Sequence, residues 1–278
     1  MVRPRQSKHK QKAEQFVTRA KTARVSSARK NSGRLSGKVA VVTGASRGIG
    51  LAIARALARE GSSVVITGRY SEALTKAADR LRKENGAGES ATPAPNIMPI
   101  QCDVRDEHAV ERMFGAVARE FGRVDVLVNN AGVSQPALSV EKTTIELWHE
   151  IIDTNLTGTF LCSKSALPLI PRGGTVVNIL SAAARIAFPS FAAYNSSKHG
   201  ALGFTLTLRE ELKERGIRVC AFMPGATDTA MWQQIMPNVA REKLMDADST
   251  AALVLSIVLL PPKANLSELA LHPITGAI

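Results

Sequence analysis

The sequence predicts an α/β fold, in which a single doubly wound domain holds a seven-stranded, mostly parallel sheet with helices on both faces. Short runs rich in Val, Ile and Leu alternate with longer segments of helical period, as strand–helix–strand units require. Six of the seven runs are apolar almost throughout, which is typical of strands covered on both faces. With 278 residues and 45% hydrophobic composition, the chain is long enough to bury one large core.

The predicted elements follow one another in the order that this fold needs. Strands are predicted at KVAVVTG, SSVVITG, NIMPIQC, VDVLVNN, GTVVNIL, IRVCAFM and LSELALH. Helical periodicity is carried by GLAIARALAREG, SEALTKAADRLRKEN, DEHAVERMFGAVAREFG, residues 140–169 and AYNSSKHGALGFTLTLREELKERG. The polar stretch ENGAGESATPAPN is predicted to be an exposed loop. A ligand site is expected beyond the carboxyl ends of the strands, at the topological switch point.

The net charge of +12 is concentrated at the N-terminus. Residues 1–38 hold 12 of the 36 basic residues and one of the 24 acidic residues, which leaves 24 basic against 23 acidic in the rest. We therefore predict a basic extension over residues 1–34 and the α/β domain over residues 35–278. Three roles for the extension remain open: a solvated segment without a specific role, an organelle-targeting segment, or an arm that binds nucleic acid or another anionic surface.

The cysteines and the hydropathy pattern bear on the compartment. Cys102, Cys162 and Cys220 each lie in or beside an apolar segment and lack metal-ligand spacing, which predicts reduced, buried thiols and no metal site. No apolar run reaches the roughly 18 residues of a membrane-spanning helix. We predict a cytoplasmic location, with organelle targeting by the basic extension as the alternative.

The first predicted strand runs directly into TGASRGIG, residues 43–50, and then into a helix. Its glycines fall at Gly44, Gly48 and Gly50. The first permits a tight turn, and the others let the backbone approach a pyrophosphate closely. The amides at the start of the following helix would face that negative charge. The segment therefore predicts a site for a dinucleotide.

The spacing T-G-x-x-x-G-x-G resembles that of the short-chain dehydrogenase/reductase family, and the chain also carries a Y-x-x-x-K motif at Tyr194 and Lys198. The resemblance spans residue 35 to the C-terminus. It implies one Rossmann-type domain that transfers hydride between a nicotinamide cofactor and an alcohol or ketone. It also implies that NNAG at residues 129–132 stabilises the sheet and borders the adenine ribose, and that Asp103 hydrogen-bonds the adenine amino group.

NADP(H) is the predicted cofactor, with NAD(H) as the alternative. In NAD-preferring sites a carboxylate closes the second strand and binds the ribose 2′-OH. Here the strand ends at Arg69, and Arg47 lies in the glycine-rich turn, so two guanidinium groups can meet a 2′-phosphate. The competing interpretation leaves both arginines in solvent without a ligand. The predicted cofactor contacts are Gly44, Ser46, Arg47, Gly48, Ile49, Gly50, Arg69, Asp103, Val104, Asn130, Ala131, Gly132, Tyr194, Lys198, Pro224, Gly225, Thr227 and Thr229.

Tyr194 and Lys198 lie one helical turn apart, and therefore on one face of the predicted helix. Negative charge develops on a ketone oxygen as it accepts hydride, so the reaction needs a proton donor at that oxygen. A phenol with an ordinary pKa near 10 is a slow acid at neutral pH. We therefore expect the neighbouring ammonium to lower the pKa of Tyr194.

The resemblance completes a set of four catalytic residues. It implies that Tyr194 is the general acid/base and that Ser181, 13 residues earlier, orients the substrate oxygen. It also implies that Lys198 binds the nicotinamide ribose and lowers the tyrosine pKa. Asn155, in DTNLTG, is implied to hold a water that links the lysine to solvent. Taken singly, Ser181 or Asn155 would more often be a cap or turn residue.

Three features concern the substrate end of the site. Leu180 stands where the family often has a small polar residue, which predicts a change in pocket shape. Residues 224–229 (PGATDT) resemble the loop that contacts the nicotinamide carboxamide and the cofactor phosphates. Residues 230–250 are predicted to form a substrate lid, whose apolar side chains either contact substrate or serve packing. These are Met231, Trp232 and Met236.

The predicted function is therefore NADP(H)-dependent interconversion of a ketone and a secondary alcohol. As substrates, 3-oxoacyl thioesters, steroids, sugars and simple ketones all remain open. A homodimer or homotetramer is expected, although the last strand lacks the glycine-rich ending common in the family, which puts the usual tetramer interface in question. Two other functions stay open: a catalytically silent dinucleotide-binding sensor or scaffold, and a nucleic-acid binder acting through the basic extension. Nucleic acid is not the expected partner.

Overall fold

The sheet has seven strands in the part of the chain that the computed structural model describes, residues 33–86, 95–235, 238–274 and 276. They are β1 (Val39–Val42), β2 (Ser63–Gly68), β3 (Ile97–Gln101), β4 (Val126–Asn129), β5 (Thr175–Ile179), β6 (Arg218–Pro224) and β7 (Glu268–Leu271). Their spatial order is β3-β2-β1-β4-β5-β6-β7, and every neighbouring pair is parallel. The predicted fold class is confirmed. The chain changes direction across the sheet between β1 and β4, which is the switch point.

Eight α-helices connect the described strands or follow them. They are α1 (Gly48–Arg59), α2 (Ser71–Gly86), α3 (Glu107–Phe121), α4 (Ile145–Ile152), α5 (Gly158–Ala166), α6 (Ala192–Leu212), α7 (Ala230–Ile235) and α8 (Ala247–Val258). Helix α2 continues to Gly86, so the loop predicted to begin at Glu84 starts later. Most of that loop, like residues 1–32 of the predicted basic extension, lies outside the described residues.

The helical run predicted at residues 140–169 is interrupted. A five-residue π-helical segment, Asp153–Thr157, separates α4 from α5. Gly158 packs directly against the connection after β3, because an added Cβ there would lie 3.2 Å from the carbonyl oxygen of Val104. The wider turn changes the direction in which Asn155 projects, and such interruptions are frequent at functional sites.

Apolar side chains cover both faces of the sheet. Alternate residues of β1 point to opposite sides, since Ala40 and Val42 belong to one apolar cluster and Val41 to the other. Helices α1, α2 and α8 contribute to the first cluster, and α3, α5 and α6 to the second. The three cysteines are buried and free, as predicted. Within the described ranges, no helix is long and apolar enough to cross a membrane.

Candidate active site

The switch point opens into a cavity of about 480 Å³ at the carboxyl edge of the sheet. Its walls come from the segments that follow β1 through β6 and from the first turns of α6 and α7. Every residue predicted to contact a cofactor lines this cavity, and so does Ser181. The remaining predicted catalytic residue, Asn155, is buried directly behind the wall.

The glycine-rich turn makes the narrow end of the cavity. Gly44 has φ of +63°, and an added Cβ would lie 2.7 Å from the Cα of Ala131. At Gly50 an added Cβ would lie 2.6 Å from the carbonyl oxygen of Gly44. Both positions therefore need glycine, the first for its backbone conformation and both for close contact. Helix α1 consequently begins against the turn, with the unpaired amides of its first turn available to an anion.

The end of β4 is fastened to this turn by hydrogen bonds. The amides of Asn130 and Ala131 both donate to the hydroxyl of Thr43 at 3.0 Å. The Asn130 side chain donates to the carbonyl oxygens of Thr43 at 2.9 Å and Gly44 at 3.1 Å. These hydrogen bonds from the end of β4 therefore fix the backbone conformation of the glycine-rich turn.

Asn129 faces the interior of the sheet and has a structural role. Its side-chain amide donates to Ser163 Oγ at 2.9 Å and to Asn178 Oδ1 at 2.8 Å. The Asn178 amide in turn donates to Thr205 Oγ1 at 2.8 Å. These bonds join β4, β5, α5 and α6, which agrees with the predicted sheet-stabilising part of NNAG.

Two arginines give the turn end of the cavity a positive charge. Arg47 is exposed immediately before α1, and among the residues described it forms no ion pair. Arg69 follows β2, with 33% of its side chain exposed and its Nη1 3.7 Å from Oε1 of Glu150. The charge of Arg69 is thus partly offset by Glu150, whereas that of Arg47 is not offset by a partner in the described ranges.

Asp103 is held by an arginine that the sequence analysis did not single out. Arg105 binds it with both ends of the guanidinium, Nε to Oδ1 at 3.0 Å and Nη2 to Oδ2 at 2.6 Å. This hydrogen bonding is the main reason that the pKa of Asp103 is lowered. The carboxylate therefore stays charged, with a fixed orientation at the cavity wall. An Asp followed two residues later by Arg after a strand was the available signal.

Ser181, Tyr194 and Lys198 meet at the opposite end of the cavity. Ser181 follows β5, and its hydroxyl interacts with the Tyr194 phenol in a way that favours the deprotonated form. Tyr194 lies in the first turn of α6. The Nζ of Lys198 is 5.7 Å from the centre of the tyrosine ring and donates to the carbonyl oxygen of Ile179 at 3.2 Å.

Burial controls the titration of this pair. The pKa of Tyr194 is raised above its ordinary value because its surroundings disfavour the phenolate, and the contact with Ser181 offsets this only in part. The sequence analysis expected a lowered pKa, and it underestimated how far the ring is desolvated. Burial also lowers the pKa of Lys198 to about 8. At neutral pH the phenol therefore carries its proton and the lysine is mostly charged.

Asn155 lies in the π-helical segment, between the loop after β4 and helix α6. Its Oδ1 accepts the amide of Val133 at 2.8 Å, and its Nδ2 donates to the Val133 carbonyl at 2.9 Å and to Ser197 Oγ at 3.0 Å. Ser197 then donates to the carbonyl oxygen of Tyr194 at 2.8 Å. Asn155 thus connects the loop to the tyrosine through protein groups, and its predicted role in holding a water stays a prediction.

The segment after β6 closes the cavity beside the glycine-rich turn. Thr229 lies against Gly48, where an added Cβ would come within 3.3 Å of the threonine methyl group. Thr227 is buried, and its hydroxyl donates to the carbonyl oxygen of Gly225 at 3.1 Å. The predicted proximity of this loop to the turn that would bind phosphate is therefore present.

The predicted lid begins with α7, from which Met231 and Trp232 line the cavity. Met236 lies outside the described residues. Leu180 also lines the cavity while packing into an apolar cluster with Ala201 and Leu202. Its side chain therefore contributes to pocket shape, as its departure from the family pattern suggested.

Gln135 is a second residue that the sequence analysis missed. It is 1% exposed, and its side-chain carbonyl accepts the backbone amide of Tyr194 at 3.0 Å. The two residues are 59 positions apart, so no local pattern joins them. The only signal was a long polar residue in a loop that follows a buried strand.

Comparison with known proteins identifies the family. Residues 38–240 match the family described as short chain dehydrogenase. The chain belongs to the short-chain dehydrogenase family. It is 40% identical over 203 residues to a 3-oxoacyl-[acyl-carrier-protein] reductase of Synechocystis, which covers 72% of this chain and 78% of that protein. It is 36% identical over 208 residues to a 3beta-hydroxysteroid dehydrogenase of Mediterraneibacter gnavus, covering 74% and 72%. The chain is accordingly an oxidoreductase of alcohol and carbonyl groups.

Solved structures of short-chain dehydrogenases share this architecture. An alcohol dehydrogenase from the archaeon Thermococcus sibiricus, complexed with 5-hydroxy-NADP, superposes with a TM-score of 0.77 at 33% identity, covering 85% of this chain and 97% of that one. A short chain dehydrogenase from Burkholderia cenocepacia in complex with NADP gives 0.76 at 32% identity, covering 87% and 98%. Binding of a nicotinamide dinucleotide by this fold is therefore supported.

Proposed function

We propose that this protein is an NADP(H)-dependent carbonyl reductase and secondary-alcohol dehydrogenase, with Tyr194 as the general acid/base. The observation that carries the proposal is the position of Ser181, Tyr194 and Lys198 together at one end of a cavity whose other end is a glycine-rich turn. An acid and a second donor beside a dinucleotide cradle are what ketone reduction requires.

Three features of the cavity support a nicotinamide dinucleotide as its ligand. Gly44 and Gly50 line the cavity and let the turn pack closely on itself and on Ala131, so that α1 begins at the cavity with the amides of its first turn free for an anion. Arg47 adds an exposed guanidinium, and Asp103 offers a charged acceptor. We infer that Gly44–Gly50 hold the pyrophosphate, Asp103 the adenine, and Lys198 the nicotinamide ribose.

The bound nicotinamide supplies or accepts the hydride. In the reduction, the Tyr194 hydroxyl donates its proton to the carbonyl oxygen while the Ser181 hydroxyl donates a hydrogen bond to the same oxygen. The Lys198 ammonium stabilises the phenolate that remains, because its buried Nζ lies 5.7 Å from the centre of the tyrosine ring on the same face of α6. Asn155 keeps the neighbouring loop in place through Val133 and Ser197.

The decisive experiment replaces the tyrosine. Tyr194→Phe is expected to lower kcat for ketone reduction by roughly 10²- to 10⁴-fold, the range typical of a lost acid/base group. NADPH binding, followed by fluorescence, should persist. Ser196→Ala removes an exposed hydroxyl from the same helix and serves as the control with unchanged kcat. Turnover retained by Tyr194→Phe would overturn the role of Tyr194, whereas a parent protein that turns over no ketone would favour the silent sensor or scaffold.

Preference for NADP(H) is inferred from charge. Arg47 is exposed beside the turn without an ion-pair partner in the described ranges, so it can bind a 2′-phosphate without first breaking a salt bridge. Arg47→Ala is expected to reduce kcat/KM for NADPH by roughly 10- to 100-fold and to leave NADH turnover nearly unchanged. Arg59→Ala, at the exposed far end of α1, is the matched control. Equal losses with both cofactors would contradict a contact between Arg47 and the 2′-phosphate.

The substrate end of the cavity favours a bulky, uncharged and largely apolar carbonyl compound. Its described walls include Leu180, Phe188, Phe191, Met231 and Trp232, whereas Arg47, Arg69 and Asp103 lie toward the turn end. Steroid-like and long-chain ketones are therefore expected to give higher kcat/KM than sugars or keto acids. A panel of carbonyl compounds, followed by NADPH and NADH oxidation, tests this ranking. Higher activity on charged or sugar substrates would contradict it.

We also propose a cytoplasmic homodimer assembled through helices α5 and α6. Phe160 on α5 is 44% exposed and packs edge-to-face against Phe204 of α6, with 5.9 Å between ring centres. An exposed aromatic side chain such as Phe160 favours coverage by a partner surface. Light scattering of the purified protein measures the mass, and a dimer that Phe160→Glu converts to monomer is expected.

A further inference from the structure

Gln135 lies in the loop after β4 and is among the most deeply buried polar side chains of the described residues. It does not line the described walls of the cavity. A buried carboxamide is unfavourable unless its donor and acceptor are both used. Both are used here. Oε1 accepts the backbone amide of Tyr194 at 3.0 Å, and Nε2 donates to the carbonyl oxygen of Ser190 at 3.2 Å.

The bond to Tyr194 falls where α6 has no cap of its own. The helix begins at Ala192, and the residue before it, Phe191, makes no side-chain capping bond. In an ordinary cap, the side chain of the preceding residue accepts an amide hydrogen two or three positions into the helix. Tyr194 is the third residue of α6. Gln135 therefore supplies from another segment the acceptor that Phe191 lacks.

The bond to Ser190 holds the turn that leads into the helix. Ser190 has φ of +69°, the one positive value at a non-glycine residue in the described ranges. A serine keeps this conformation only when its surroundings enforce it. Its carbonyl oxygen accepts both the Gln135 side chain and the amide of Leu138, the latter at 2.9 Å. The loop after β4 thus holds the entry to α6 at two points.

From these contacts we propose that Gln135 is a positioning residue, which caps α6 from the neighbouring loop and thereby fixes the Tyr194 phenol against Ser181. The inference rests on the proposed function, in which Tyr194 transfers the proton. First turns of helices open readily when their amides lack partners. A displacement of about 1 Å at a reacting group can lower a rate by about 100-fold.

The test compares a variant that removes a buried polar group beside α6 with one that removes a buried polar group within α6. Gln135→Met keeps the length of the side chain and removes both hydrogen bonds. We expect kcat to fall roughly 10- to 100-fold while KM for the ketone and Kd for NADPH change by less than about threefold. Amide hydrogen exchange across residues 192–195 should accelerate by about tenfold or more.

Thr205→Val is the matched control. Thr205 is 1% exposed in the middle of α6 and accepts the Asn178 amide at 2.8 Å. This variant is expected to lower Tm while kcat and exchange across residues 192–195 stay at parent values. A folded Gln135→Met protein with kcat within about twofold of the parent and unchanged exchange would overturn the proposal.

Gln135→Glu keeps an oxygen acceptor for the Tyr194 amide. It is expected to retain parent-like exchange across residues 192–195 and a kcat at least about fivefold above that of Gln135→Met. Faster amide exchange across residues 192–195 in the Glu variant than in the parent would overturn the proposal that Gln135 caps α6. This comparison needs only the Glu variant and the parent, so it remains decisive if the Met variant does not fold. If the parent reduces no ketone, the proposed function fails, and the exchange data alone decide whether Gln135 caps the helix.

Discussion

At the scale of single residues, burial pushes Tyr194 and Lys198 toward their neutral forms, the pKa of the phenol upward and that of the ammonium downward to about 8. A protonated phenol beside a charged lysine is nonetheless the starting state that reduction of a ketone needs. The sequence identified both residues through their spacing. It could not give their depth in the protein, and depth determines the direction of both shifts.

Lys198→Met is expected to stabilise the protein while abolishing turnover. The pKa of Lys198 falls from 10.5 to about 8 on folding, so below pH 8 its buried charge opposes folding by at most about 3 kcal/mol. Between pH 8 and pH 10.5 the folded state releases the proton first, and stability rises with pH. The advantage of the Met variant should therefore be largest at neutral pH and shrink above pH 8.

Urea unfolding of both proteins without cofactor, at pH 7 and at pH 10, measures this difference. A stability advantage that grows with pH would contradict the sign of the shift. A Met variant less stable than the parent at pH 7 would show that the bond from Lys198 to Ile179 outweighs the desolvation of the charge.

At the scale of elements, the strands and most helices were predictable because apolar runs and helical period are local patterns. The π-helical segment Asp153–Thr157 was not, since residues 140–169 have continuous helical period, and the close packing of Gly158 against Val104 that follows the segment joins residues distant in sequence. The motif DTNLTG still identified Asn155. Its partners Val133 and Ser197 depend on how the wider turn aims the side chain.

The junction between the glycine-rich turn and α1 is the element contact most sensitive to substitution. Gly50→Ala would place a methyl group 2.6 Å from the Gly44 carbonyl oxygen, and is expected to destabilise the fold by about 2 kcal/mol and to weaken NADPH binding. Gly203→Ala is the control, because this exposed position in α6 has open space around it. The substitution is expected to raise the free energy of unfolding by up to about 1 kcal/mol. Thermal unfolding and NADPH titration of both variants measure these effects.

At the scale of the whole molecule, groups from six strand ends converge on one edge of the sheet. The motifs TGASRGIG, NNAG and Y-x-x-x-K were readable because each is compact in sequence. Arg105 and Gln135 were missed because neither belongs to a compact motif. Arg105 acts by pairing with Asp103, and Gln135 accepts a hydrogen bond from a residue 59 positions away. The fold and the main site thus follow from local patterns, and the supporting contacts follow from packing.

The described domain should function without residues 1–32. Leu35 is already buried and its amide donates to the Glu60 carbonyl at 2.7 Å, so the fold is anchored from its first described residues. Removing residues 1–32 takes away ten basic residues and one acidic residue. We expect unchanged kcat, KM and Tm, and loss of any salt-sensitive binding to nucleic acid. Reduced kcat in the shortened protein would contradict this, and binding that survives would dismiss the basic extension as its source.

The loop after β4 contacts the glycine-rich turn through Asn130 and the start of α6 through Gln135. One short piece of backbone therefore borders both the proposed dinucleotide site and the proposed proton donor. A ligand that orders one end of the loop lowers the entropic cost that a second ligand meets when it orders the other end. By thermodynamic reciprocity, NADPH and an alcohol product analogue should each tighten the binding of the other by the same factor.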